Sequence, residues 1–455
     1  MSTAAGLHGG RIVVVGASLA GLRAAEALRD EGFTGRLTLI GDEPHAPYDR
    51  PPLSKAVLSG RLSCDHIVLP RVRNIDAHWM LGTRATGLDV PARRVELADG
   101  RQVEYDRLLI ATGSRSRPWP AQAGGGPDGV HVLRTREDAE RLRGALAAGP
   151  SRVLVIGAGF TGGEVASVCR ELGLAVTVTQ RGSAPLAGAL GGVIGRAAAD
   201  WYRDAGVDLR PNTTVRALEG HPSGRLRRAV LSDGTAVDAE VTVVATGALA
   251  NTEWLTGTGL AADHRGVISD GGCRAVATDG TPSADIFVAG DVARRPHPLY
   301  PGHLLRLDHW DNAVAQARTA AYNMTHAPGV QRIHQPLPAF WSSQFGLCLK
   351  SVGVPAVADQ VVITQGSLDQ RRFVAAYGLK GRLVAAVAVD SPRVLDGYAT
   401  LIEARAPFPP RLGATDGPVR IVPVDAEFPG RDSGSGSDRD IRTPSADAPA
   451  PTAHL

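Results

Sequence analysis

The chain has 455 residues, too many for one ordinary core and enough for two or three domains. Its 43% hydrophobic and 21% charged content describes a soluble globular protein, and a formal charge of +3 without a basic block interleaved with aromatics argues against nucleic acid. Four scattered cysteines, Cys64, Cys169, Cys273 and Cys348, lack CxxC or CxxxxC spacing, which argues against a disulfide framework or a zinc site and fits a reducing cytoplasm.

At the N-terminus, MSTAAGLHGG lacks the charged start and apolar stretch of a secretory signal, and no run of about eighteen apolar residues predicts a membrane span. Residues 11–16, RIVVVG, read as a buried parallel strand because the apolar run is continuous rather than alternating. Helical spacing of Leu and Ala follows over 19–31 and ends at Gly32, and RLTLIGDE is a second strand ending in acids. The turn between strand and helix is GASLAG. Gly16 permits the tight turn, Gly21 permits close helix–strand packing, and Ser18 stands where the backbone approaches a pyrophosphate. Asp42 is placed to accept hydrogen bonds from a ribose.

Next comes PYDRPPLSK, residues 47–55, where flavoenzymes with two nucleotide sites often carry a reactive cysteine pair. This run has no cysteine and closes on Lys55, one of only three lysines among 49 basic residues. An electrostatic role for Lys55 at a reduced ring competes with a solvated loop position.

The first unit recurs at 152–181 as strand RVLVIG, helix TGGEVASVCRELG and strand AVTVTQR. Its turn, Gly157-Ala-Gly159-Phe-Thr-Gly162, is complete, and Glu164, two residues beyond Gly162, is expected to project from the first helical turn. At the end of the next strand, where an NAD site needs an acid, stand Gln180 and Arg181. A guanidinium pairs with a 2′-phosphate, which favours NADPH or acceptance of both coenzymes; the alternative is a solvated Arg181.

Each copy is also echoed by a strand ending in Ala-Thr-Gly, LLIATGS (108–114) and VTVVATGA (241–248). IFVAGD ends a strand at Asp291, a helix-like stretch is expected after it, and a helix is predicted near 309–324. From about 326 short alternating strands predict an antiparallel sheet with a terminal helix near 391–405. Residues 426–455, rich in Ser, Gly, Pro and Asp, read as a disordered tail. None of the histidines has a partner at metal-ligand spacing, so no metal is expected, and Trp310 reads first as a core residue.

The order of glycine turn, PYDRPPLSK, ATG, second glycine turn, second ATG, NTEWL, AGD, RLDHW and FWSSQ resembles the FAD-dependent NAD(P)H:ferredoxin reductases, the family of the putidaredoxin, rhodocoxin and biphenyl-dioxygenase reductases. The resemblance covers about residues 10–410 and implies an α/β fold of two Rossmann-like nucleotide-binding domains plus a C-terminal α+β interface domain with an antiparallel sheet. The FAD domain would comprise 10–117 and 248–325, the NAD(P) domain 118–247, and the interface domain 326–425. FAD contacts would fall on Ala20, Asp42, Arg50, Lys55 and Ala85, and on Arg134, Asp291 and Trp310, with Gly16, Ser18, Gly21, Thr112 and Gly113 in the same site. Gly157, Gly159, Gly162, Glu164, Arg181 and Gly247 would line the nicotinamide-nucleotide side. Lys55, Glu164 and Trp310 would serve electron transfer, with Lys55 and Glu164 expected as an ion pair at the flavin and Trp310 over it.

The implied activity passes electrons from NAD(P)H through FAD to a ferredoxin-type iron–sulfur protein that feeds an oxygenase such as a cytochrome P450. The enzyme would be a cytoplasmic monomer or homodimer with no nucleic-acid or membrane partner. Ser18, Gln180, Asp308 and Ser343 depart from the family's usual residues, which bears on coenzyme choice and partner docking. An NAD(P)H oxidase or disulfide reductase would want a cysteine near 42–52, and an NAD(P)H-sensing flavoprotein module is the reading outside enzymology.

Overall fold

A computed structural model of the chain describes residues 7–120, 126–410 and the short strand Val422–Pro423. The tail expected at 426–455 and most of 411–425 lie outside the described residues.

The continuous apolar runs near the N-terminus form one six-stranded sheet. Its order is Arg274–Val276, Pro282–Val288, Arg107–Ile110, Arg11–Val15, Arg36–Ile40 and His78–Met80. All its pairings are parallel except the first. Both faces are covered, which is why these strands read as unbroken hydrophobics rather than alternating ones. Helices Leu19–Asp30 and Trp310–Thr325 bury one face through Leu22, Leu28, Ala317 and Ala321. The antiparallel meander Ala85–Asp89, Arg94–Leu97 and Gln102–Glu104 buries the other through Leu88, Val95 and Leu97.

The second sheet repeats this plan with Asp208–Arg210, Ala175–Thr179, Arg152–Ile156, Val241–Val244 and Val130–His131, all parallel. Helices Arg136–Ala147 and Phe160–Glu171 lie on one face, and a second meander, Val215–Gly220, Leu226–Leu231 and Ala236–Asp238, lies on the other. The repeat seen in the sequence is therefore a repeat of whole layers. The two chain crossings between the units pair with each other as antiparallel strands, Ser114–Ser116 with Ala248–Ala250.

The C-terminal region is a six-stranded antiparallel sheet in the order Ala339–Gln344, Leu347–Gly353, Arg382–Val389, Arg372–Leu379, Gln360–Ser367 and Val422–Pro423. One face takes helix Leu395–Glu403 through Leu395, Tyr398 and Ile402. The other packs on helix Ala187–Asp204 through Leu190, Ile194 and Trp201, which locks this sheet to the second unit.

Three local expectations change. No helix follows Asp291: a turn leads into strand Ala293–Pro296, which pairs with Gly266–Ile268 and Leu304–Arg306. Pro296 and Pro298 lack the amides a helix would need there. The terminal helix is shorter than 391–405, because Pro392–Val394 form a 3-10 turn before it. Helix Ala187–Asp204 is absent from the sequence reading, for its Gly- and Ala-rich start masks the period and Gly191 breaks the helical backbone with φ +77°.

Candidate functional site

The two glycine turns are built alike. Gly16 has φ +119°, its amide donates to the Ile40 carbonyl (2.8 Å), and a Cβ there would overlap the Ala111 carbonyl. Gly157 has φ +106°, its amide donates to Thr179 (2.8 Å), and a Cβ would overlap the Ala245 carbonyl. Each Ala-Thr-Gly echo is thus the carbonyl that fills the place of the missing side chain on its own turn. Gly21 and Gly162 in turn lie against the Gly16 and Gly157 carbonyls.

Gly159 is different, since a Cβ there would meet no protein atom within 4 Å. Packing does not demand its bareness, but a ligand lying on the turn would. Ser18 and Gly159 precede the two helices, neither caps its helix with a side chain, and neither first turn contains an acid; Glu164, expected in the first turn, falls in the second because the helix starts at Phe160. Helix Arg136–Ala147, by contrast, closes its N-terminus with a Thr135–Asp138 capping box. Open amides at the helix dipole's positive end suit a pyrophosphate.

A cavity of about 920 Å3 opens on the first turn. Of the residues expected to hold FAD, Gly16, Ser18, Ala20, Asp42, Arg50, Lys55, Ala85, Thr112, Gly113, Arg134, Asp291 and Trp310 line it, and so does Glu164. Gly21 lies behind the wall as a packing residue. Arg50 donates to Glu43 (2.5 Å), Tyr48 Oη (3.0 Å) and the Arg134 carbonyl (2.8 Å), which aims its guanidinium at Ser18 Oγ (3.5 Å). Asp42 forms a two-point pair with Arg84 (3.1 and 3.2 Å), and Arg134 pairs with Asp291. Gln316 accepts from the Gly290 amide (2.8 Å), and Gly290, at φ +81°, lies against Ala20, so the AGD turn meets the glycine turn.

Pro51–Ser54 of the proline-rich run form a 3-10 turn, and Lys55 ends it. Lys55 Nζ lies 2.7 Å from Glu164 Oε2, which makes the expected ion pair. Glu164 is only 7% exposed, on helix Phe160–Glu171 of the second unit. Ser54 Oγ also donates to Oε2, while Ser342 Oγ, from the C-terminal sheet, donates to Oε1 (2.6 Å). Three parts of the chain therefore meet on one carboxylate, and a buried charge needs that many partners.

Trp310 is the first residue of its helix, and its indole donates to Asp49 Oδ1 (2.9 Å). Burial raises the Asp49 carboxyl above its usual range against that bond and the Lys55 charge. Burial and nearby Asp291 raise Asp308, while burial lowers His309 to about 4 and so keeps it neutral at neutral pH. The His309 ring packs against Phe340, which itself meets Phe160 edge-on, and exposed Trp341 completes this side of the cavity.

Gly157, Gly159, Gly162, Arg181 and Gly247 lie apart from this cavity, around the second turn. Strand register makes Arg181 the counterpart of Asp42, since Thr179 and Ile40 accept the matching glycine amides. Arg181 is exposed, and Gln180 Oε1 accepts from the Ala158 amide (3.0 Å), which commits Gln180 to holding the turn. The sequence reading missed Asp49, Ser54, Ser342, Gln316 and Gln344. FWSSQ was the one visible signal for Ser342 and Gln344, which it puts on the inward face of a strand; Asp49, Ser54 and Gln316 had none.

All four cysteines are free and none lines the cavity; Cys64 is buried among Val57, Leu58 and their neighbours. Among the described residues no cluster of three His, Cys, Asp or Glu could hold a metal, and no helix is long and apolar enough to cross a membrane.

Residues 10–317 match the family described as pyridine nucleotide-disulphide oxidoreductase, and 339–418 match the reductase C-terminal family. Rhodocoxin reductase of Rhodococcus erythropolis is 36% identical over 406 residues, 89% of this chain and 92% of that protein. Putidaredoxin reductase of Pseudomonas putida is 33% identical over 88% of this chain and 93% of its own length. The crystal structure of the covalent putidaredoxin reductase–putidaredoxin complex superposes with a TM-score of 0.81 at 31% identity, covering 88% of this chain and 94% of that one.

Proposed function

The chain belongs to the pyridine nucleotide-disulphide oxidoreductase family, and from that premise we propose that it works as an FAD-dependent ferredoxin–NAD(P)+ reductase. The observation that carries the reading is the cavity itself. It has the size for a dinucleotide, its walls carry both the first glycine turn and the Lys55–Glu164 pair, and no thiol lines it. A dithiol relay therefore has no place there. Bound in the cavity, FAD would supply the exchange between a two-electron hydride donor and a one-electron iron–sulfur acceptor.

The amides after Gly16 would take the pyrophosphate, with Arg50 beside Ser18 adding positive charge. Asp42 and Asp291 would accept from sugar and ribityl hydroxyls. Lys55, held by Glu164, would offset negative charge gained on reduction, and Trp310, on the wall of the same cavity, would exclude water. The turn Gly157–Gly162 with Gly247 would take NAD(P)H, and Arg181 in the place of Asp42 favours the 2′-phosphate of NADPH.

The chain divides, in this reading, at 117/118, 247/248 and 325/326; the pairing of Ser114–Ser116 with Ala248–Ala250 supports the first two points. A ferredoxin-type protein is the electron acceptor, and four unpaired cysteines suit a cytoplasmic setting. The reading is tested by purifying the full chain and adding NAD(P)H without air. The expected result is bound FAD that bleaches with NAD(P)H and regains colour on adding an oxidised ferredoxin. A chain without bound FAD, or with FAD that NAD(P)H leaves coloured, would overturn it.

A further inference from the structure

We propose that Ser342 is a positioning residue that sets the Glu164 carboxylate against Lys55 and thereby governs how fast NAD(P)H reduces the bound FAD. The proposal rests on the role just given to the Lys55–Glu164 pair.

Strand Ala339–Gln344 alternates as strands do, with Trp341 and Ser343 outward and Ser342 and Gln344 inward. Buried polar groups on that face are costly unless each finds a partner. Ser342 is 1% exposed, and its direction of donation is fixed by its neighbours. Gln344 Nε2 donates to Ser342 Oγ (3.1 Å), so the hydroxyl proton is free to go to Glu164 Oε1 (2.6 Å). The other carboxylate oxygen already takes Ser54 and Lys55. Ser342 is thus the one partner holding Oε1 among the described residues, and it fixes the carboxylate's rotation relative to Lys55.

The end of this strand and the residue after it grip the helix of Glu164 on both sides of that residue. Gln344 lies over Gly163, where a Cβ would overlap its amide oxygen, and the Phe345 amide donates to Ser167 Oγ (2.8 Å). Gly163, Glu164 and Ser167 share one helix face, so the C-terminal sheet sets the position of the helix as well as the rotation of the carboxylate.

The test uses the full-chain holoenzyme with Ser342→Ala, Glu164→Gln and the double variant. At saturating NAD(P)H, Ser342→Ala should slow bleaching roughly threefold to tenfold, the effect of losing one charge-assisted hydrogen bond. The half-saturating NAD(P)H concentration should not change, because Ser342 itself bonds Glu164 and not the Gly157–Gly162 turn; the contact to that turn, with the Phe160 carbonyl (3.5 Å), is made by Gln344 and stays in place. Added to Glu164→Gln, the serine change should slow bleaching no further. Melting temperatures give an activity-free reading of the contact: the two single losses should sum to more than the loss in the double variant. Equal slowing by Ser342→Ala in both backgrounds, no slowing in either, or additive melting shifts would overturn the proposal. If Glu164→Gln bleaches as fast as the unaltered chain, the role of the Lys55–Glu164 pair fails and the proposal falls with it.

Discussion

Lys55 shows how much one side chain carries. In a chain that writes nearly every cation as arginine, a lysine at the end of a 3-10 turn faces the cavity and meets a carboxylate from another unit. An ammonium is a compact charge, whereas the planar fork of arginine would spread toward Ser54 and the Pro51 carbonyl, which lies 3.3 Å from Nζ. Lys55→Ala should retain FAD yet slow its bleaching by NAD(P)H roughly tenfold to a hundredfold, as removal of a preorganised charge does. Normal FAD content with an unchanged rate would refute that role. At the second turn, Arg181→Glu should lower the preference for NADPH over NADH by about 1–3 kcal/mol in kcat/KM. An unchanged ratio would mean that Arg181 is simply solvated.

Among elements, helix Phe160–Glu171 does two jobs. Its N-terminus belongs to the second glycine turn, and its next residues receive the C-terminal sheet. Gly163 marks the division, for a side chain there would overlap Gln344 and approach Tyr202 Oη at 2.7 Å. Gly163→Ala should therefore destabilise the protein by about 1–3 kcal/mol in urea titrations, while Gly144→Ala, at a helical glycine where the added methyl meets nothing, serves as the control for the change in backbone freedom.

The segment from Arg295 to His334 makes a second prediction. His297 and His334 are buried beside Arg295, and burial lowers their imidazoles to about 4 and about 3. Histidines whose folded pKa lies below the unfolded value contribute stability that is complete above about pH 6.5 and is lost as pH falls toward the folded values. The raised carboxyl of Asp308 acts in the opposite sense and offsets part of this. The urea midpoint should fall between about pH 7 and pH 5, and His334→Asn should flatten the fall. An unaltered slope in that variant would show that the acid sensitivity lies elsewhere.

How legible these features were depended on the range of the interaction. Gly16, Gly157 and the Ala-Thr-Gly strands were visible because local spacing determines them, and their mutual contact explains why they recur together. The Lys55–Glu164 pair could be guessed from position because each residue lies close behind a motif. Ser54, Asp49 and Gln316 left no local mark, since their partners are 110, 261 and 26 residues away in the chain. The meander sheets were hidden too, being short and half-exposed. The stretch after Asp291 misled because its prolines weigh against the pattern around them.

At the scale of the whole molecule, two layered copies of one nucleotide-binding plan are joined by a pair of crossing strands, and a third sheet rests on the second copy. The cavity of the first copy reaches Glu164 of the second, and the third holds that residue through Ser342. In the proposed function, electrons from a nucleotide on the second copy reach FAD in the cavity of the first, whose walls carry no cysteine. In the same proposal they leave one at a time to an iron–sulfur protein. Steady-state turnover of the full chain with NAD(P)H, with and without an added [2Fe–2S] ferredoxin, tests this by following cytochrome c reduction and peroxide together. The expected result is cytochrome c reduction that depends on the ferredoxin, with little peroxide. Rapid NAD(P)H consumption that yields peroxide and ignores the ferredoxin would contradict it.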